Sequence, residues 1–484
     1  MVTAPRPEAP STNTKPLNRR NFLLGSAIAT AAATTALGQD KKSAASAGPK
    51  PNVLLIIADD LAAWMLGCYG NKEIKTPNID NLARRGARFQ HGFVATPICS
   101  PSRATLFTGR TPMQHGIHDF LTPNPIENPP QGQKDVPASM ANEVMLTDVA
   151  SSQGYDCGYV GKWHINHDDA KPGHGIRWWY TMIGGSRAYT DPEMSLNGQM
   201  VKEVGYLGEL MTKRAVEYLD QQSAGGKPFF LTVSYLNPHT PYDGHPQKYY
   251  DMYANTAFDS IGWEPPAPNA LREKNLLKDT VANIRRCAAA TTALDDQMPA
   301  LLNKLKQKNL YDNTVVLLVG DNGFLLGRHG LWSKGLASDP PNMYEEVVNV
   351  PMIMTWPGRI PVESARPELV SFYDVMPTFC ELFGAAAPQR NLCGRSFLPL
   401  VARQAGVKPP TWRSTVFAHL RNTDMARDNR FKLVIRNNGA GPNELFDLRT
   451  DPREKLNQYS NPQFLTARDR LAGELKQWKA GYAS

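Results

Sequence analysis

"NVLLIIADD", residues 52–60, decides the fold. Its apolar run is unbroken from Val53 to Ala58 and ends in two acids. A strand wet on one face would alternate apolar and polar residues. A continuous run fits a strand covered on both faces, the usual state in a parallel sheet. The same form recurs in "NTVVLLVGDNG" (313–323), which ends in Asp321 and Asn322. It recurs in "KPFFLTVSYLNPHTP" (227–241), ending near His239, and in "CGYVGKWH" (157–164), ending in Lys162 and His164. Helical stretches such as "TPNIDNLARRGA" and "CAAATTALDDQMPALLNKLKQK" lie between these runs. The alternation predicts an α/β fold with a large, mostly parallel sheet flanked by helices. Ligands of such sheets bind beyond the carboxyl ends of the strands. Four runs here deliver polar or charged residues to that edge.

The tail differs. After "QAGVKPPTWRS" come the short pieces "TVFAHL", "RFKLVIRN" and "ELFDL", then a helical stretch, "FLTARDRLAGELKQW". These predict a small antiparallel α+β domain. The expected division is residues 52–408 for the large domain and 409–484 for the small one.

The 484 residues are 41% hydrophobic and 20% charged, ordinary globular composition with ample material for a large core. The formal net charge is +8, of which residues 1–38 carry +3, leaving +5. No Lys/Arg block runs through the body, so nucleic acid is not an expected partner, and a mild preference for anions is. None of the six cysteines forms a CxxC pair, which argues against a zinc ribbon. They are too sparse for a disulfide scaffold. A Cys380–Cys393 bridge is compatible with the spacing but not established by it.

"NRRNFLLGSAIATAAATTALGQ" pairs Arg19 and Arg20 ahead of a mild apolar run that ends in small residues near Gly38. The run is short and weakly hydrophobic for a span, which needs about 20 apolar residues. Its Ala and Thr content favours a twin-arginine export signal, residues 1–38, over a membrane anchor. Residues 39–51 then form a linker. The expected location is periplasmic or secreted, with the twin-arginine export machinery as a partner and no permanent membrane association.

Asp59, Asp60, Asp321 and Asn322 are oxygen donors at two strand ends. Adjacent carboxylates are costly to bury without a cation, and a second oxygen pair would complete a hard-cation site for Ca²⁺ or Mg²⁺. Taken singly, each pair would be a helix cap or a turn. Arg103, Lys162, His164, His239 and Lys334 follow strand ends or sit in polar turns. Singly these are ordinary surface residues. Together with a metal they would surround a small tetraoxo anion with positive charge. Cys99 sits in the polar turn of "ICSPSRATLFTGR" with no base adjacent, an unusual place for either a core cysteine or a catalytic thiol.

"CSPSRATLFTGR" resembles the Cys-x-Pro-Ser-Arg signature of the formylglycine-dependent (type I) sulfatases, within the alkaline-phosphatase-like superfamily. The rest of the chain agrees with that family in order, with "LLIIADD" and "TPNIDNLARRGARF" before this motif and "GYVGKWH", "NPHTPY", "VGDNG", "GRHGLWSKG" and "ELFDLRTDPREKLN" after it, so the match runs from about Asn52 to Asn457. The resemblance implies that a maturation enzyme oxidises Cys99 to formylglycine, whose hydrate is the nucleophile. It implies Ca²⁺ on Asp59, Asp60, Asp321 and Asn322 with modified Cys99 as a further ligand. Arg103 and Lys162 would hold the hydrate. His164 would take a proton as the sulfated intermediate breaks down. His239 and Lys334 would bind sulfate and assist the leaving alcohol. The implied activity is hydrolysis of a sulfate ester, most naturally of a sulfated carbohydrate.

Departures from the family pattern are Arg328, where many relatives have an acid, and Asp243 and His245 after His239. "WWY", 178–180, fits either a sugar-stacking platform or a buried aromatic cluster. A phosphodiesterase or phosphonate monoester hydrolase on the same fold and metal site is the alternative activity. A metal-stabilised binding protein whose Cys99 stays unmodified is the non-catalytic one.

Overall fold

The structure, a computed structural model, describes residues 49–121, 140, 142–165, 172–186, 188–402 and 410–482. The expected export signal, nearly all of the linker and the 408/409 boundary lie outside these residues.

One sheet holds ten strands: β1 (Asn52–Asp59), β2 (Ala87–Phe93), β3 (Asp156–Lys162), β4 (Trp178–Met182), β5 (Glu193–Leu196), β6 (Gln199–Lys202), β7 (Phe229–Pro238), β8 (Thr314–Gly320), β9 (Met352–Thr355) and β10 (Ser364–Ser371). Their spatial order is β10-β2-β9-β8-β1-β7-β3-β4-β5-β6. The four apolar runs are therefore the contiguous centre, β8-β1-β7-β3, and all run parallel. β9 runs against β8 and β2, and β5 against β4 and β6. The sheet is α/β and mostly parallel, as the sequence predicts.

The continuous runs are explained by burial on both faces. Val53, Leu55 and Ile57 of β1 enter one core with Val315, Leu317 and Val319 of β8. Leu54, Ile56 and Ala58 enter a second core with Val316, Leu318 and Leu231. Each buried Leu, Ile or Val contributes about 1.5–3 kcal/mol. Trp163 and Trp179 pack edge-on at 5.5 Å, and Tyr159 meets Trp163 at 5.0 Å.

The tail forms a second sheet of β11 (Val416–Leu420), β12 (Thr423–Arg427), β13 (Phe431–Arg436) and β14 (Glu444–Asp447), antiparallel throughout. The Leu465–Tyr482 helix covers one face, where Leu471, Leu475 and Trp478 meet Ala426, Leu433 and Leu445. Val416, Ala418, Met425 and Val434 join the first core of the large sheet. Among the described residues no helix is long and apolar enough to cross a membrane. Cys380 and Cys393 are both free.

Candidate active site

Because β1 lies between β8 and β7, the carboxyl ends of these strands abut. Asp321 follows β8, and its N–H donates to Ala58 O at 2.8 Å, which seats it beside Asp59 and Asp60. His239 follows β7, whose Pro238 is in register with Asp59. Lys162 ends β3. Two glycines allow this closeness. A Cβ on Gly161 would lie 2.0 Å from Ser234 O, and one on Gly320 would lie 2.0 Å from Leu61 O. Asp60 (φ 63°) and His164 (φ 57°) are held in left-handed backbone, which costs of order 1–3 kcal/mol and persists where surroundings enforce it.

The acids form one buried knot. Asp60 N–H donates to Asp321 Oδ1 at 3.0 Å, and Asn322 Nδ2 donates to Asp60 Oδ1 at 2.7 Å. Lys162 pairs with Asp59, and Lys334 with Asp60. Arg103 Nε donates to Asp321 Oδ2 at 2.8 Å, while Nη1 donates to Ser234 Oγ and Lys162 O, both at 2.7 Å. Burial alone would raise the Asp59 and Asp60 carboxyls. Lys162 on Asp59, and Lys334 on Asp60, outweigh it and hold both below the usual range. Asp321 goes the other way, raised by burial and then by the charge of Asp59.

Among the described residues, three fully buried polar atoms in this knot have no hydrogen-bond partner: Asp59 Oδ1, Asn322 Oδ1 and Arg103 Nη2. Each such atom costs about 1–3 kcal/mol unless a ligand completes it. Two oxygens facing no donor beside three carboxylates fit a hard divalent cation. Single ligand atoms of Asp59, Asp60 and His239 also lie within 4.8 Å of one another. His239 Nδ1 donates to Thr240 O, which leaves Nε2 on the Asp60 side at 3.8 Å.

Cys99 opens the Cys99–Thr108 helix, whose N-terminal end carries a partial positive charge. The Cys99 side chain is buried, and burial raises its thiol above the ordinary range. A neutral thiol is a poor nucleophile. His164 Nε2 donates to Leu121 O at 2.7 Å, so Nδ1 carries the lone pair. Burial, then the charge of Lys162, keeps this ring neutral. Lys334 keeps its proton against the opposing effect of burial, mainly through Asp60.

A cleft of about 420 Å³ opens over the knot. Cys99, Asp60, His164, His239 and Lys334 line it, while Asp59, Arg103, Lys162, Asp321 and Asn322 lie behind them. All ten residues named from sequence thus gather at one sheet edge. The sequence did not single out Phe120, Ser186, Arg272, Glu273 or Leu336, which also line the cleft. They come from loops with no pattern of their own. Ser234, which holds Arg103, was hidden inside the β7 run.

The departures have local roles. Arg328 lies 3.6 Å over the Trp64 ring and donates to Ile261 O at 2.9 Å and to Glu346 at 3.2 Å, tying its loop down. His245 is buried and shares a 2.9 Å hydrogen bond with Tyr206 OH. Asp243 is exposed, 3.8 Å from Arg286. None of Trp178, Trp179 and Tyr180 is among the residues that line the cleft, and Trp179 and Tyr180 are buried, which favours the aromatic-core reading of "WWY".

The family model described as "Sulfatase" matches residues 51–385, and that of "N-sulphoglucosamine sulphohydrolase, C-terminal" matches 327–481. An N-acetylglucosamine-6-O-sulfatase of Bacteroides thetaiotaomicron is 23% identical over 90% of this chain and 87% of its own. A solved structure described as a complex with its substrate D-glucosamine-2-N,6-O-disulfate has a TM-score of 0.76 at 22% identity, covering 90% of this chain and 98% of its own. The phosphonate monoester hydrolase of Agrobacterium radiobacter has a TM-score of 0.68 at 21% identity, covering 89% and 96%.

Proposed function

Since the chain belongs to the sulfatase family and is a sulfuric ester hydrolase, we propose that it desulfates a sulfated carbohydrate through Cys99 matured to formylglycine, with Ca²⁺ alongside. The observation that carries this is the trio of atoms left without hydrogen-bond partners among the described residues, Asp59 Oδ1, Asn322 Oδ1 and Arg103 Nη2, in the knot beneath a cleft that a buried, neutral Cys99 lines. Hydrated formylglycine supplies an attacking oxygen and a second hydroxyl for release of sulfate. A cation on Asp59, Asp60, Asp321 and Asn322 supplies positive charge against the sulfuryl oxygens.

The chain's own groups do the rest. Lys162 neutralises Asp59, and Lys162 and Arg103, whose charges both act on Cys99, would hold the hydrate. Lys334 offers its ammonium to the sulfuryl oxygens from the cleft wall. His239 lines the cleft with Nδ1–H tied to Thr240 O, and its imidazolium form, which carries a proton on Nε2 as well, would hand that proton to the leaving alcohol. His164, kept neutral with Nε2–H tied to Leu121 O, accepts a proton at Nδ1.

The carbohydrate class rests on the relative that acts on N-acetylglucosamine sulfate. Export rests on Arg19 and Arg20, and replacing both with lysine should hold the protein in the cytoplasm. The discriminating experiment offers purified protein matched sulfate, phosphate and phosphonate esters together with sulfated sugars. Sulfate esters should turn over fastest. Faster turnover of a phosphodiester or phosphonate would replace this reading with the alternative.

A further inference from the structure

Among the described residues Arg272 is the one arginine on the cleft wall, and none of their carboxylates pairs with it. Its guanidinium is exposed, and its described contact is with the Phe120 ring, 4.5 Å from the centroid. By contrast, the other cleft cation outside the histidines, Lys334, is paired with Asp60. A stacked arginine keeps its N–H fork free in the plane of the group, ready for a planar or tetrahedral oxyanion.

The mounting is rigid on both sides. Leu271 N–H donates to Ala337 O at 2.8 Å, and Ala337 N–H donates to Lys334 O at 2.8 Å, so Arg272 is tied to the loop of Lys334. Ala270 bridges Ser338, and Asp339 N–H donates to Asn269 O at 3.2 Å. Phe120 is tied in turn to the Cys99 helix, because Leu121 N–H donates to Ser100 Oγ at 2.9 Å. Leu121 O also takes the His164 bond. The backbone that carries Arg272 and the ring it stacks on are thus tied to the loop of Lys334 and to the Cys99 helix.

Glu273 sets the other boundary. It is held in left-handed backbone (φ 53°), and its Oε1 accepts from Thr240 Oγ1 at 2.9 Å. A carboxylate there repels an anion on its own side of the wall, which leaves the Phe120 side for one.

We propose that Arg272 is a specificity residue that selects substrates carrying a second oxyanion, a further sulfate or a ring carboxylate, beside the ester that is cleaved. This rests on the sulfatase reading for the first anion only. The second anion need not react. It gains charge-assisted hydrogen bonds from a group already held in place.

The test uses a panel of monosaccharide sulfates, each paired with an analogue bearing a second sulfate or a carboxylate. Wild type should show higher kcat/KM for two-anion members, mainly through KM. In Arg272→Ala that selectivity ratio should fall on the order of 10- to 100-fold, the worth of one or two hydrogen bonds to a charged group. Arg272→Lys should recover only part of it. Calorimetry on Cys99→Ala, with and without Arg272→Ala, reads the same preference as binding and does not need turnover. Absence of hydrolysis with an intact, Arg272-dependent two-anion binding preference would overturn the sulfatase reading alone. An equal loss for one-anion and two-anion members, or no preference in wild type by either measurement, would overturn the role of Arg272. The sulfate and carboxylate arms show which oxyanion it takes.

Discussion

Arg103 Nε donates to Asp321 Oδ2 at 2.8 Å, and both side chains are shut off from solvent. The pair joins the Cys99 helix to the end of β8, so the segment carrying Cys99 is fixed against the acids by a buried ion pair. Burial of two charges is offset here by bonds to Ser234 and Lys162 O as well. Removing one partner strands the other. Arg103→Ala should destabilise the fold by about 3–5 kcal/mol, read by urea unfolding. Arg103→Lys keeps the charge but loses the fork, and should recover part of the stability and little activity. A loss under about 1 kcal/mol would mean that the pair behaves like a surface bridge.

Metal should be needed for both turnover and stability. Exhaustive chelation should abolish hydrolysis and lower Tm, and Ca²⁺ at a hundredfold excess over its Kd should restore about 2.7 kcal/mol. Asp321→Ala should weaken that recovery, because the cation loses a ligand and a compensating charge. Full activity after chelation would contradict the assigned site.

His115 gives a pH signature away from the cleft. It is fully buried, its Nδ1 accepts from Ile117 N–H at 3.2 Å, and its Nε2 meets Thr105 Oγ1 at 3.1 Å. Burial, then the charges of His118 and Arg110, push its pKa down to about 3. The unfolded chain takes up this proton near pH 6.5, the folded chain only near 3. Stability from this group is therefore complete above pH 6.5 and falls as pH drops toward 3, by up to about 1.4 kcal/mol per pH unit. Urea midpoints between pH 7 and 5 should fall more steeply for wild type than for His115→Gln. Parallel slopes would show that the ring is not buried neutral.

The centre of the sheet was legible because β8, β1, β7 and β3 are buried on both faces, and such strands leave unbroken apolar runs. The edges were not. β6 (Gln199–Lys202) is four residues with mostly exposed side chains, and β10 (Ser364–Ser371) carries a proline. β9 is apolar, but periodicity does not encode that it runs against β8. Within the cleft, strand-end acids and basic residues were legible as chemistry brought to one edge. Arg272 and Phe120 were not, since each sits in a loop and acquires meaning only from the other.

Cys99→Ser should fold with at most about 1–3 kcal/mol lost on placing a hydroxyl in this buried site. Its hydroxyl can accept a sulfuryl group once, but a single hydroxyl cannot eliminate sulfate. Turnover should be negligible, and intact-protein mass should show a trapped sulfate ester after incubation with substrate. Steady turnover by this variant would contradict the formylglycine account.

The most direct measurement is the mass of the proteolytic peptide containing Cys99, taken from active wild-type protein produced alongside a formylglycine-generating enzyme. The account predicts a peptide that has lost a sulfur and two hydrogens and gained an oxygen relative to the thiol form. It should react with a hydrazide probe, as an aldehyde does. Active protein whose Cys99 peptide carries only the unmodified thiol would contradict it.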